Sequence, residues 1–350
     1  MPFFVGDQQF ITQNGSLCRI LGKNGKQNLV VKDWTNNVND FQPYNMSRLK
    51  SKWENSWLSN FEENKNVMEL ETSKMVPYYG KIREGETAYI VGNGPSLRQD
   101  IELLKGKKRN VFMTNRADDL IERGLDCEFY MTIDAGPKYG ERELKWGDLA
   151  SKSGATGIFS IFAEPRIVKK FKNKMFFNVW GRGSKLWQGW EDYAKERWND
   201  GHEHTSFEGK KETFYGCVLD SGYNVMFSML HLVYRMGYKK VVLLGQDHAF
   251  SGGYDYFNDE EPFIFIDEKT GGHALNKKVL KKYTDRSIDV FKTKDIHGET
   301  TFTTRVMQDT AKFFSAACQF LNKEIEIVNC SNEGILEGPG IIQDRLVNHV

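Results

Sequence analysis

The sequence predicts an α/β protein of Rossmann-like type: a mostly parallel sheet flanked by helices, with a small N-terminal β/helical appendage. Three observations carry that prediction. From residue 86 onward, short apolar runs alternate with polar, helix-forming stretches, the pattern of parallel strands joined by crossovers. The first run, Ala88 to Val91, breaks into Gly92-Asn93-Gly94-Pro95-Ser96 and then into a polar helical stretch, RQDIELLKGKK. The strongest run, KKVVLLGQD at 239–247, follows a helix at 222–235 that places Val225, Met229, Leu232 and Met236 on one face.

In chain order, residues 1–80 form the appendage. FFVGDQQFIT, SLCRIL and NLVVKDW, punctuated by Gly15, Gly22 and Gly25, read as a hairpin or meander. Residues 46–62 read as a helix with Leu49, Trp53, Trp57 and Phe61 in one stripe. This part packs on the main domain, 81–350, and offers a surface for a partner or an oligomer mate. Within that domain NVFMTN (110–115), CEFYMTID (127–134), GIFSIFA (157–163) and MFFNVW (175–180) are the further strands. Two insertions interrupt it, at about 181–218 and 248–300; the second, long and polar, reads as an active-site lid. A last helix at 301–322 turns Phe302, Val306, Thr310, Phe313, Ala317 and Phe320 inward, and EIEIVNCS (324–331) closes the sheet.

Composition narrows the function. A net charge of +1 over 350 residues supplies no basic field for nucleic acid, and the clusters Lys105–Arg109 and Lys277–Lys282 read as solvated helix faces. Five scattered cysteines, never in CxxC spacing, fit reduced thiols in a cytoplasmic setting and argue against structural zinc. No apolar run reaches membrane-span length, and the N-terminus lacks a signal peptide's pattern. Aromatics cluster at 176–198, where a ring could stack on a base or simply fill the core.

In an open parallel sheet the ligand lies beyond the carboxyl ends of the strands. That rule selects Gly92 to Ser96 after the first strand, Thr114, Asn115 and Arg116 after the second, and Asp134 after the third. After the strong strand it selects Gln246, Asp247 and His248. The two glycines permit a tight turn and would let backbone N–H groups approach a phosphate. Pro95 suits the first turn of the next helix. Asn115 can read a base or ribose edge, and Asp134 and Asp247 could hold a ribose hydroxyl, a sugar or magnesium; helix capping is the plain alternative for each. His248 at a strand end and His297 before the last helix are the candidate bases. His202 and His204 have no third ligand nearby and read as surface loop. Neither a GxSxG elbow nor a GxxxxGK[ST] loop occurs, which removes a serine hydrolase and an ordinary P-loop kinase.

IVGNGPSL, VFMTNRADDLIERGLDCEFYMTID and SGYNVMFSMLHLVYRMGYKKVVLLGQD together resemble one superfamily. It joins bacterial sialyltransferases, motility-associated flagellin glycosyltransferases and archaeal 6-hydroxymethylpterin diphosphokinase-like proteins, and the similarity covers about residues 86–335. The resemblance implies a Rossmann-like fold binding a nucleotide-activated donor. In its sialyltransferase-like members the positions matching Gly92 to Ser96 and Asn115 hold the CMP part of the donor, and those matching Ser221 and Gly222 lie near it. A histidine before the last helix is the base there, and His297 is the nearest counterpart. This chain has His-Gly-Glu where the family has a His-Ser-type sequence, and Gln246 before Asp247 where relatives show a Gly-Ile-Asp-like pattern.

The leading expectation is a cytoplasmic glycosyltransferase moving a sugar from a nucleotide donor, CMP-linked by resemblance, to a glycan or a protein Ser/Thr hydroxyl. It needs no cofactor. His297, His248 and Asp247 are its catalytic candidates; Gly92, Asn93, Gly94, Pro95, Ser96, Asn115, Asp134, Ser221, Gly222 and Gln246 are its nucleotide contacts. The alternative is ATP-dependent diphosphate transfer to a 6-hydroxymethylpterin-like alcohol, with Mg²⁺ on Asp134 and Asp247. A non-catalytic binding or assembly protein retaining the fold is the third reading.

Overall fold

The computed structural model describes residues 2–5, 8–13, 16–19, 46–71, 82–133, 144–178, 185–197, 202–205, 211–214, 219, 224–266, 273–276 and 290–350. Its centre is an eight-stranded parallel sheet. In chain order the strands are β1 (Thr87–Val91), β2 (Val111–Met113), β3 (Phe129–Thr132), β4 (Thr156–Ser160), β5 (Lys174–Phe177), β6 (Lys240–Leu244), β7 (Glu326–Asn329) and β8 (Ile342–Gln343). Across the sheet they run β8-β7-β6-β1-β2-β3-β4-β5. The chain winds outward from β1 to one edge, returns to β6 on the other side of β1, and winds to the opposite edge. The order therefore reverses between β1 and β6, whose register pairs Leu244 with Val91 at their carboxyl ends. The fold is α/β and Rossmann-like.

These strands form because nearly every residue in them is apolar and buried on both faces, as a parallel sheet requires. Side chains alternate between two layers. Tyr89, Val91, Met113, Tyr130, Phe159 and Leu244 face the first, with the helices α1 (Met46–Glu71), α2 (Leu97–Asp100), α3 (Ala117–Ile121), α4 (Asp148–Lys152), α5 (Pro165–Val168) and α6 (Lys185–Arg197). Ala88, Ile90, Phe112, Phe129, Ile158 and Leu243 face the second, under α7 (Val225–Arg235) and α8 (Arg305–Leu321).

Several expectations shift. The first helix runs to Glu71, well beyond residue 62, and its buried Trp57, Phe61 and Met68 join the first apolar layer. Trp190 of α6, from the aromatic cluster, is 2% exposed and packs edge-on against Phe61, so this ring fills the core and does not await a base. Residues 2–19 contain a three-stranded antiparallel meander, as the glycines suggest; NLVVKDW lies outside the described residues. The stretch 181–218 contains α6 and a hairpin of His202–Thr205 with Lys211–Phe214. The long 248–300 connection contains a hairpin of Ile264–Ile266 with His273–Leu275 and one arm of a second, Val290–Lys294, which pairs with Thr300–Thr304.

The last helix starts later than its periodicity indicates. Phe302 belongs to the second hairpin, Val306 is 49% exposed, and Thr304 caps the helix by accepting the N–H of Met307 through Oγ1 at 3.2 Å. A run of β-branched threonines favours a strand, and a Thr that accepts from the third helical N–H marks an N-terminus. Among the described residues no helix is long and apolar enough to cross a membrane.

Candidate functional site

The carboxyl ends of β1 and β6 meet at the reversal point, where open α/β sheets bind ligands. Two loops touch there, and the glycines explain how. A Cβ on Gly92 would lie 2.4 Å from the carbonyl oxygen of Gly245, and one on Gly94 would lie 2.4 Å from Oδ1 of Asp247. Neither distance is tolerable, so both glycines are dictated by the adjoining loop. The amides follow the same logic. Gly92 N–H donates to Leu244 O at 2.7 Å, Gly94 N–H to Gly245 O at 3.0 Å, and Ser96 N–H to Oδ2 of Asp247 at 2.8 Å. The sequence reading of bare amides waiting for a phosphate is thus corrected: three of them already bond within the protein.

Asp247 is the pin of this junction. It is 1% exposed, and its second oxygen accepts from the Ser96 hydroxyl at 2.5 Å. Burial pushes its carboxyl up to about 6, against the two Ser96 bonds that favour the charged form. With both oxygens committed to Ser96, Asp247 joins the loops instead of facing a substrate or a metal, which corrects its expected catalytic role. Gln246 is also internal. Its N–H donates to Ser331 Oγ at 2.7 Å and its amide to Leu244 O at 3.3 Å. Pro95 is buried and its carbonyl accepts from Arg98 N–H at 3.1 Å, holding the turn into α2.

Other groups on this edge lack partners. Among the described residues, Asn93 Oδ1, Thr114 Oγ1 and His248 Nε2 are enclosed and find no hydrogen-bond partner. They stand just beyond β1, β2 and β6, on both sides of the reversal point. His248 also has φ +50° and Arg116 φ +67°, left-handed values rare outside glycine and typical of functional loops. Enclosure lowers the His248 imidazole to about 4, so the ring is neutral near pH 7. Asn115 lies in the turn between β2 and α3, beside Thr114.

His297 sits at the exposed tip of the hairpin that precedes α8, where Asp295 Oδ1 accepts its N–H at 2.9 Å. Its Nε2 donates to the carbonyl of Asn332 at 2.8 Å, which leaves the neutral ring's lone pair on Nδ1. Asn332 in turn donates to Asp100 of α2 at 2.8 Å, and Ile296 N–H donates to Gly334 O at 2.9 Å. The tip is thereby tied to the loop after β7, on the same edge as the β1–β6 junction. Asp134, Ser221 and Gly222 lie outside the described residues.

One segment that sequence reading treated only as part of a lid folds over this edge. Phe257 N–H donates to the carbonyl of Asn93 at 3.1 Å, and Asn258 donates to Asp119 of α3 at 2.6 Å. Arg98 stacks 3.8 Å from the Tyr254 ring and Arg116 3.7 Å from that of Tyr256. Its only signal in sequence is the alternation of aromatics with Asp and Asn in Tyr254–Asp259.

A family model described as 6-hydroxymethylpterin diphosphokinase MptE-like matches residues 55–253. That is more than half of the chain. The chain belongs to the MptE-like family. The match begins inside α1 and runs through β6 and its loop, so the family unit includes both sides of the β1–β6 junction. It agrees with the superfamily resemblance carried by GNGPSL and GYKKVVLLGQD. Among solved structures, the MAf glycosyltransferase from Magnetospirillum magneticum AMB-1 is similar at TM-score 0.49 and 16% identity, over 82% of this chain. This MptE-like chain covers 38% of that one. No curated protein matches it significantly.

Proposed function

We propose that the chain is a transferase that binds a nucleotide-activated donor at the β1–β6 junction and passes its glycosyl group to a hydroxyl acceptor. The observation that carries this reading is the set of enclosed atoms on Asn93, Thr114 and His248 that find no partner among the described residues. Buried polar atoms without partners cost about 1–3 kcal/mol each, and a bound molecule relieves that cost. Asn93 Oδ1 needs a donor, which a ribose hydroxyl or a base amino group supplies; a neutral His248 Nε2 can pair with a hydroxyl.

In the transfer, the acceptor oxygen bonds to the anomeric carbon while the bond to the donor phosphate breaks. The nucleotide phosphate leaves with the bonding electrons, and the hydroxyl proton passes to a base. Burial makes His248 a poor base near neutrality, so its part is hydrogen bonding. Nδ1 of His297 is the better candidate, and such a base contributes about 10²–10⁴-fold.

The family description favours a second reading, diphosphate transfer from ATP to a pterin-like alcohol. That chemistry needs magnesium on carboxylates, and Asp247 would have to release Ser96 to serve. Calorimetry with CMP, CDP, UDP, ATP and a pterin, each with and without Mg²⁺, separates the two. Metal-independent CMP or CDP binding supports glycosyl transfer; a strictly Mg²⁺-dependent ATP response supports the second; silence from every nucleotide removes both.

A further inference from the structure

We infer that Arg98 and Arg116 form the anion subsite of the donor pocket, and that Tyr254–Asp259 is a strap occupying them while the pocket is empty. This rests on the reading of the junction as a nucleotide site. Both arginines lie on the ligand edge, one after the glycine loop beyond β1 and the other two residues past Thr114 beyond β2. Both are part-buried, and among the described residues neither guanidinium has a carboxylate partner. Arg98 donates through Nε to Phe257 O at 2.5 Å and through Nη2 to Asp259 O and, at 3.4 Å, to Tyr256 O. Arg116 donates through Nη1 to Asn258 Oδ1 at 2.8 Å. Every acceptor is neutral. Two nearby carboxylates are engaged elsewhere: Asp119 accepts from Asn258, and that of Asp259 accepts from Tyr256 N–H at 2.9 Å.

Two part-buried cations held by neutral oxygens and tyrosine rings, with no anion beside them among the described residues, are under-compensated, because a fixed positive charge gains far more from an anion. Guanidinium forks match phosphate oxygens in particular. The strap's oxygens occupy guanidinium donors that phosphate oxygens could take, and its tyrosine rings lie against both arginines. The buried, unpartnered Thr114 Oγ1 is an independent sign that this edge awaits a ligand. Binding would move Arg98 and Arg116 from the strap to the phosphates, break Phe257 N–H···Asn93 O, and open the loop above the acceptor.

The test uses the full chain with inorganic pyrophosphate, CMP, CDP, ATP and the uncharged nucleosides cytidine and adenosine as calorimetric probes. Arg98→Gln and Arg116→Gln should weaken pyrophosphate and nucleotides by about tenfold or more, while any nucleoside binding is unchanged. Tyr254→Leu and Tyr256→Leu remove the stacking but keep both charges, and should leave phosphate affinity equal or higher. Hydrogen exchange at Phe257 should accelerate with pyrophosphate bound. If the arginines only pin the loop, both pairs of variants behave alike, and the inference fails. It fails equally if folded Gln variants hold pyrophosphate as the wild type does, or if the wild type binds no pyrophosphate. Pyrophosphate binding lost in the Gln variants, without any nucleotide binding, keeps the subsite and removes the nucleotide donor. Nucleotide binding untouched in those variants does the reverse.

Discussion

Gly94 shows how one residue type serves two different ends. A glycine after a strand admits a close approach, but the sequence does not say what approaches. Here it is Asp247 Oδ1, 2.4 Å from where a Cβ would stand, with Gly245 O at 2.7 Å. Gly94→Ala should therefore destabilise the fold by about 1–3 kcal/mol through overpacking, read as a lower denaturant midpoint at unchanged slope. A variant of wild-type stability would show that the junction accommodates a methyl group and is not dictated by close approach. The two residues after Gln246 make a sharper prediction. Asp247 is raised to about 6 in the native state, so its contribution is full below the unfolded value near 3.9 and is lost as pH rises through about 6. His248 is lowered to about 4, so its contribution is present above the unfolded value near 6.5 and is lost as pH falls towards 4. Between about pH 4 and 6 the two slopes oppose each other. The stability of wild type minus Asp247→Asn should fall with rising pH across that window, and that of wild type minus His248→Gln should rise. Parallel unfolding curves for either pair would refute the corresponding assignment.

At the level of elements, α1 is held partly by the apolar stripe its periodicity shows and partly by a polar contact that no local pattern reveals. Its Asn64 is fully buried and donates to the carbonyls of Ile161 and Ala163 at 3.1 and 2.9 Å, while Phe61 packs against Trp190 and Tyr193. Phe61→Ala should cost about 3–5 kcal/mol as a cavity, and Asn64→Leu about 1–3 kcal/mol for the carbonyls it strands. Urea titration measures both, and a loss under 1 kcal/mol for Phe61→Ala would place α1 outside the core. The same contrast explains what was legible. β1 and β6 could be read because buried parallel strands are continuous apolar runs, and their strand-end loops because topology puts ligands there. The second arm of the hairpin before α8 reads as helix because Phe302 falls at helical spacing from Val306, yet Thr300–Thr304 is a strand and Val306, in the first turn of α8, faces solvent. The Arg98 and Arg116 contacts with Tyr254–Asp259 span well over a hundred residues of chain, and no periodicity records such a pairing.

For the molecule as a whole, one sheet carries two apolar layers, and α1 belongs to the first of them. The family match also starts within α1, at residue 55. Sequence reading set the boundary near residue 80 because strand–helix alternation begins only there, yet alternation marks the sheet and not the extent of its cover. A chain starting at residue 82 would keep all eight strands and uncover Trp190 and Phe162, which pack on Phe61 and Trp57 and are 2% and 4% exposed in the intact protein. Exposed apolar surface of that kind weakens the layer, at about 25 cal/mol per Å² removed from cover. The 82–350 chain should bind a hydrophobic dye, melt below the full chain and lose a sharp transition. The 55–350 chain, which retains Trp57, Phe61, Asn64 and Met68, should melt cooperatively above it. Equal melting of the 82–350 and full-length chains, without dye binding, would make α1 a dispensable appendage.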